Sequence, residues 1–138
     1  MTPARMAAEL AAAIDGPHRE DRTTGAAELA AETLRYLNYA TGLQAGLPYP
    51  ATVYSVTGSL SLAAGRLGQL MANLGGYLNR ELAAGRLGED SGADPAATVA
   101  QALYHLSVAA AAASDLAAAL SAVQSDLSGT HYRPDGAR

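Results

Sequence analysis

The sequence predicts an all-α fold, an up-and-down helical bundle built on a long antiparallel hairpin of two helices at about residues 51–85 and 95–128. Apolar residues in both segments recur at alternating intervals of three and four, the period of a coiled-coil seam. Alanine, the strongest helix former, makes up about a quarter of the chain. A Gly- and acid-rich break separates the segments, and Asp94-Pro95 then supplies a cap and a first helical residue. The predicted seam comprises Val53, Val56, Leu60, Ala63, Leu67, Leu70, Leu74 and Tyr77 in the first helix and Val99, Ala102, Leu106, Ala109, Ala113, Leu116, Leu120, Val123 and Leu127 in the second.

Two further helices are predicted before the hairpin. Thr2-Pro3 is typical of a helix start, and the resulting short N-terminal helix ends at Asp15-Gly16-Pro17. The charged segment 18–24 is predicted to be an exposed connector, followed by a helix over 25–46 that two prolines terminate. We expect both helices to pack on the hairpin within a single domain, 1–138, and the polar tail 129–138 to be disordered.

Composition and charge exclude several classes of function. The net charge is −4 and the nine arginines are scattered, so a basic footprint for nucleic acid is missing. There is no Cys for disulfides or thiolate ligands. Residues 1–14 are charged and lack the apolar core of an export signal. Residues 106–123 carry one charge, Asp115, among alanines that contribute little to membrane insertion, so we predict no membrane span and a cytoplasmic protein.

No catalytic, cofactor or metal site is predicted. The glycines are spaced like helix positions and do not follow a strand, so they do not form a phosphate-binding loop. His105 is interpreted as a structural histidine, and Glu28 with Glu32 as acidic residues at a helix start. Glu89 and Asp94 share an acidic loop that lacks the ligand spacing of a calcium site. We therefore expect a protein that is not an enzyme and holds no cofactor.

Tyrosines cluster around the proline corner that precedes the hairpin. They either form a small aromatic core that joins two helices or present a recognition patch, since tyrosine offers rigid area and a polar hydroxyl. Tyr104 points away from its predicted seam, and two arginines lie on a polar edge of the preceding helix. The candidate partner-binding residues are Tyr36, Asn38, Tyr39, Tyr49, Tyr54, Arg66, Arg80 and Tyr104.

Small residues line one face of each predicted hairpin helix. Interior glycine costs about 0.5–1 kcal/mol relative to alanine, so several in one helix indicate close approach of a neighbouring backbone, or a bend at Gly75-Gly76. The candidate close-contact residues are Gly58, Gly65, Gly68 and Gly75 in the first helix and Ser107, Ser114 and Ser121 in the second. Their faces carry few charges, which favours a homo-oligomer, with a dimer as the expected state.

Three short motifs fall within about residues 26–128: the run 34–41 (LRYLNYAT), Tyr49-Pro50 with Val53-Tyr54, and the run 92–95 (GADP). Over this range the chain resembles small uncharacterised α-helical proteins of actinomycetes such as Streptomyces. The resemblance implies an actinobacterial, cytoplasmic origin and no known activity.

The leading functional hypothesis is a non-enzymatic interaction or scaffold module that self-associates through its small-residue faces. An alternative is a small regulatory protein that binds a partner helix or peptide at the tyrosine-rich corner. A third is a secreted helical-hairpin protein. Against it, the predicted turn lacks Trp-x-Gly, and Tyr132 and Asp135 are one residue too close for the tail signal of such proteins.

Overall fold

A computed structural model describes residues 2–134 and confirms an all-α fold, with no strand among those residues. Its helices are α1 (Pro3–Ala12), α2 (Glu20–Thr41), α3 (Pro50–Ala83) and α4 (Pro95–Leu127), and a 3₁₀ turn (Gln44–Gly46) follows α2. The chain divides into two compact units, Met1–Leu47 and Pro48–Arg138. The predicted single domain, and the packing of the first two helices on the hairpin, stay predictions.

The first unit contains α1 and α2. The predicted start of α1 is confirmed, because the Thr2 hydroxyl accepts a hydrogen bond from the Arg5 amide at 3.3 Å. The bounds of the second helix were wrong at both ends. Helix α2 begins at Glu20, inside the predicted connector 18–24, and ends at Thr41 rather than residue 46. Its acidic first turn, Glu20 and Asp21, stabilises the positive end of the helix dipole, which explains the early start.

The second unit is the predicted antiparallel hairpin. Pro50 opens α3, where its missing N–H costs nothing. Asp94 caps α4 by accepting a hydrogen bond from the Ala96 amide at 3.0 Å. Gly85 and Gly92 have φ angles of +70° and +77°, which glycine adopts without strain, so the chain leaves α3 and turns towards α4 through them. The predicted ends of both helices are confirmed to within two residues.

The contact seam between the two helices keeps part of the predicted seam and shifts by one residue elsewhere. The predicted Val53, Val56 and Leu60 of α3 and Val99, Ala102, Leu106, Ala113, Leu120 and Leu127 of α4 are buried or half-buried, so these positions are confirmed. The predicted Leu67, Leu70, Leu74 and Tyr77 in α3 and Leu116 and Val123 in α4 are exposed, as are Ala63 and Ala109. Their neighbours face the partner helix instead: Ala64, Gly68, Met71, Gly75 and Leu78 in α3 and Ala110, Ala117 and Gln124 in α4, with Thr57, Ser61 and Leu103 also in the seam. Small side chains dominate this seam, because they let two backbones lie close together.

The hairpin by itself encloses very little. Among the described residues the buried apolar side chains are Ala64, Val99 and Ala113, and no large side chain is fully buried. Two helices in contact leave most of each surface open, so the larger apolar residues of α3 and α4 remain in contact with water.

Candidate interaction surfaces

Glycine permits the close approach of α3 to α4 at two positions. A β-carbon on Gly75 would lie 3.0 Å from Cδ2 of Leu103, and one on Gly58 would overlap the side-chain amide of Gln124. The structure therefore supports close approach as a reason for the glycine at position 75, and α3 continues through it to Ala83. At Gly65 and Gly68 a β-carbon would meet no atom within 4 Å, so close contact within this chain does not explain those two glycines.

Two polar side chains that the sequence analysis missed cross the seam. Ser61 Oγ donates a hydrogen bond to the carbonyl of Ala117 at 2.9 Å. Gln124 Nε2 donates to the carbonyl of Tyr54 at 3.4 Å. Both residues follow an assumed seam position by one, at Leu60 and Val123. A seam drawn one residue later would have included them, and the small residues at 57, 61, 64, 68 and 75 would have indicated it.

Two exposed faces flank the seam, one on each side. Successive residues of a helix are about 100° apart, so residues just before and just after a seam position lie on opposite sides of it. In an antiparallel pair a local twofold axis runs normal to the plane of the helices. Equivalent positions on α3 and α4 therefore fall on the same side of the hairpin.

The first of these surfaces, which we call the leucine face, consists of residues just before seam positions and their apolar neighbours. Leu70 is 46% exposed and Leu74 47%, while Leu116 on α4 is 50% exposed. Short alanine side chains, such as that of Ala109, lie between them and are also exposed. The leucine face comprises Ala63, Leu67, Leu70, Leu74 and Tyr77 of α3 and His105, Ala109, Ala112, Leu116, Ala119 and Val123 of α4.

The second surface, the small-residue face, consists of residues just after seam positions. Most of them are small: Gly58, Gly65 and Ala72 of α3 and Ser107, Ser114 and Ser121 of α4. The large ones are Leu62, which follows Ser61, and Tyr104, which follows Leu103. All are exposed except Gly58, which is half-buried. The Ser107 hydroxyl donates to the carbonyl of Tyr104 in its own helix, at 2.6 Å. These serines are exposed in the single chain. Their predicted role in close helix contact therefore stays a prediction about another copy or partner.

Charged side chains are few on the hairpin helices and lie mostly on their outer surfaces. Arg66, Arg80 and Asp115 project away from the seam, while Glu81 and Asp126 lie on the same side as the leucine face, one turn beyond its two ends at Tyr77 and Val123. Glu81 is paired with Arg86, whose Nη2 lies 3.0 Å from Oε1 of Glu81. The hydrogen bond from Arg86 lowers the pKa of Glu81 and raises that of Arg86. The carboxylate at the Tyr77 end of the leucine face is therefore neutralised by its neighbour.

The candidate tyrosines are all exposed, those of α2 as well as those of the second unit. Tyr36 and Tyr39 lie one turn apart on α2 and are each 70% exposed, with Asn38 exposed between them. In the second unit the ring of Tyr49 lies edge-on to that of Tyr132, with centroids 5.4 Å apart. Tyr132 belongs to the tail predicted to be disordered, of which residues 135–138 lie outside the described chain.

The remaining candidates lie on the hairpin and do not meet in one site. Tyr54 is exposed, and its backbone carbonyl accepts from Gln124. The ring of Tyr104, also exposed, lies beside that of His105 at 5.5 Å. Arg66 and Arg80 are exposed, and the Arg80 guanidinium folds back towards Gly76 of its own helix.

Two further properties of the described residues concern metal binding and membrane insertion. Within residues 2–134, no three His, Asp or Glu side chains are grouped so that they could hold a metal ion. Helix α4 is long and apolar enough to cross a membrane, judged by length and composition alone. That test is also met by core helices of soluble proteins. Comparison with protein-family models, curated proteins and solved structures gives no match.

Proposed function

We propose that the protein is a non-enzymatic helical interaction module that self-associates, with a dimer as its working state, in the cytoplasm. The observation that supports it is that the hairpin buries few apolar side chains and leaves many large ones exposed. The hairpin buries Ala64, Val99 and Ala113, while Leu70, Leu74, Leu116 and other large apolar side chains remain exposed. A run of exposed apolar residues on a helical surface is typical of a protein–protein contact.

The absence of charge on both faces adds to this argument. Solvent-facing helix positions usually carry Glu, Lys or Arg, yet α3 and α4 together carry five charged residues. A face with few charges does not repel an identical copy. Recognition of a charged partner, in contrast, requires charged residues of the opposite sign around the contact. Self-association therefore fits this surface better than binding to a charged partner.

Sedimentation equilibrium or light scattering at micromolar concentration tests the proposal. We expect a mass of twice the chain mass of 14.0 kDa. A helical, cooperatively folded protein that remains a monomer at the highest soluble concentration would rule it out.

A second candidate function is recognition of a partner helix or peptide by the tyrosine pair of α2. Tyr36 and Tyr39 share one exposed side of the helix, and exposed tyrosines are enriched at binding surfaces. Affinity purification from the native host with the wild type and with Tyr36→Ala plus Tyr39→Ala tests this. The matched control is Tyr49→Ala plus Tyr54→Ala in the other unit. Equal recovery of every co-purified protein by all three chains would exclude the α2 pair.

A further inference from the structure

We propose that the leucine face is the surface that closes the dimer, packing against the leucine face of a second copy so that two hairpins form a four-helix bundle. This inference rests on the proposed self-association and names the face involved. It differs from the sequence-based hypothesis, which assigned the contact to the small-residue faces.

The two faces offer very different amounts of apolar surface. In water, association is driven mainly by the apolar area that it removes from solvent. Leu70, Leu74 and Leu116 each leave about half of their side chain exposed. On the opposite side Gly65, Ala72 and Ser114 have little apolar area to contribute. The large side chains there, Leu62 and Tyr104, are each 65% exposed but lie well apart along the hairpin, so they form no continuous apolar surface. The leucine face therefore provides the stronger driving force.

The dimensions of the leucine face match those of a dimer interface. From the level of Val123 to that of Tyr77 it spans about 20 residues of α3, or roughly 30 Å at a rise of about 1.5 Å per residue. Two adjacent helices present a width of about 20 Å. The face thus covers roughly 600 Å² per copy and about 1,200 Å² in a dimer, which reaches the lower end of standard specific interfaces.

A second copy is the occupant that the chemistry of this face fits. In a twofold dimer the same patch meets itself, so it must not carry uncompensated charge. Between the levels of Val123 and Tyr77 the leucine face contains no Asp, Glu or Arg, and its polar side chain is that of His105. One turn beyond its two ends lie Asp126 and Glu81, and Glu81 is paired with Arg86. Joining two hairpins here would give each helix a second neighbour and would enclose the leucines between four helices, the arrangement of helical bundles.

Matched double variants test which face closes the dimer. Leu70→Glu with Leu116→Glu places one carboxylate on each helix of the leucine face. Ala72→Glu with Ser114→Glu does the same two residues away on the small-residue face. All four side chains are exposed in the single chain, so circular dichroism should show unchanged helicity. We expect the first variant to raise the dimer dissociation constant at least about a hundredfold, and the second to change it less than about threefold.

The outcomes separate this inference from the proposed function. If the wild type dimerises and the leucine-face variant dimerises equally well, the inference is wrong and self-association stands. Loss of dimer only in the small-residue variant would also contradict the inference. A wild type that stays monomeric contradicts both, and so does a monomer that pellets with phosphatidylcholine–phosphatidylglycerol vesicles, because a membrane would then cover the face.

Cross-linking gives a second measurement in case the glutamates disturb folding. The chain has no cysteine, so single cysteines are selective probes. We expect Ala109→Cys to form covalent dimers with a flexible bis-maleimide, and Ser107→Cys to remain monomeric. Covalent dimers of Ser107→Cys without covalent dimers of Ala109→Cys would overturn the inference. So does efficient cross-linking within one chain of the double variant Ala109→Cys with Leu37→Cys, since α2 would then cover the face.

Discussion

The leucine face and the small-residue face flank the same seam over a similar length, yet they differ in almost everything except their lack of charge. One exposes Leu70, Leu74 and Leu116, whereas the other exposes mainly glycine, alanine and serine, with Leu62 and Tyr104 as its isolated large side chains. Between them the helices meet through an intermediate stripe of small residues. The comparison teaches that close backbone approach, not side-chain size, determines where this pair of helices joins.

This arrangement leaves the largest side chains available for a second contact. A seam centred on the leucines would have buried more apolar area per hairpin but held the helices farther apart. With Ala64 and Gly75 in the seam, the helices approach closely and the leucines form a continuous surface beside it. The two helices thus lie close together along the seam, and the exposed apolar side chains beside it are available for contact with another surface.

The largest difference in the free energy of unfolding is expected between a leucine placed at a glycine inside the seam and a leucine placed at a glycine in open space. Gly75→Leu would push its side chain into Leu103, because a β-carbon at position 75 already lies 3.0 Å from that residue. We expect the free energy of unfolding to fall by about 2–3 kcal/mol, as for other overpacked contacts. Gly65→Leu, in open space on the small-residue face, should instead stabilise the helix by up to about 1 kcal/mol.

Urea unfolding of both variants, together with their sedimentation, checks this prediction. Equal destabilisation by the two leucines would mean that position 65 is also tightly packed. If Gly65→Leu abolished dimerisation while leaving the hairpin folded, the small-residue face would be the dimer contact. The leucine face would then be the surface left exposed in the dimer.

The sequence predicts the helices of the hairpin well because their ends carry local signals. Pro50 opens α3, Asp94 caps α4, and the chain turns at glycines with positive φ. Such signals act within a few residues, so one sequence is sufficient to detect them. They also give the correct fold class, since nothing but helices can follow from two uninterrupted segments with this period.

The contact stripe is harder to predict because α3 carries two overlapping stripes with the same period. Leu74 belongs to one and Gly75 to the other, and the hydrophobic pattern favours the larger residue. Only the fit between two backbones decides between them, and a single sequence does not contain that information in local form. The start of α2 was missed for a different reason. Its charged first turn resembles a connector, although Glu20 and Asp21 favour a helix N-terminus.

An intermediate effect is expected from removing the hydroxyl that crosses the seam. Ser61→Ala loses the hydrogen bond to the Ala117 carbonyl and should lower the free energy of unfolding by about 0.5–1 kcal/mol. The matched control is Ser107→Ala on the small-residue face, because its hydroxyl bonds only within α4. That variant should be neutral or gain up to about 0.5 kcal/mol from the higher helix propensity of alanine. Urea unfolding that ranked the two serines in the opposite order would contradict the assigned seam.

The smallest effect concerns the ion pair at the border of the leucine face. Hydrogen bonding to Arg86 lowers the pKa of Glu81 below its ordinary value of 4.5, and Arg80 acts in the same direction. A carboxyl with a lowered folded-state pKa contributes stability above its unfolded value, and that contribution is lost as pH falls through the folded value. We therefore expect Glu81→Gln to lower the urea midpoint slightly at neutral pH and to match the wild type once the pH lies below the lowered folded-state pKa of Glu81, where the carboxyl is protonated in both folded and unfolded chains.

The control for this prediction is Glu32→Gln, which breaks the exposed pair with Arg35 on α2. Such surface pairs contribute little, so its urea midpoint should stay at the wild-type value at neutral pH. A difference between Glu81→Gln and the wild type that persisted below the folded-state pKa of Glu81 would mean that the side chain acts through packing rather than charge. If Glu81→Gln also weakened dimerisation at neutral pH, the Glu81–Arg86 pair would belong to the edge of the leucine-face contact, because breaking it leaves the Arg86 charge uncompensated beside that face.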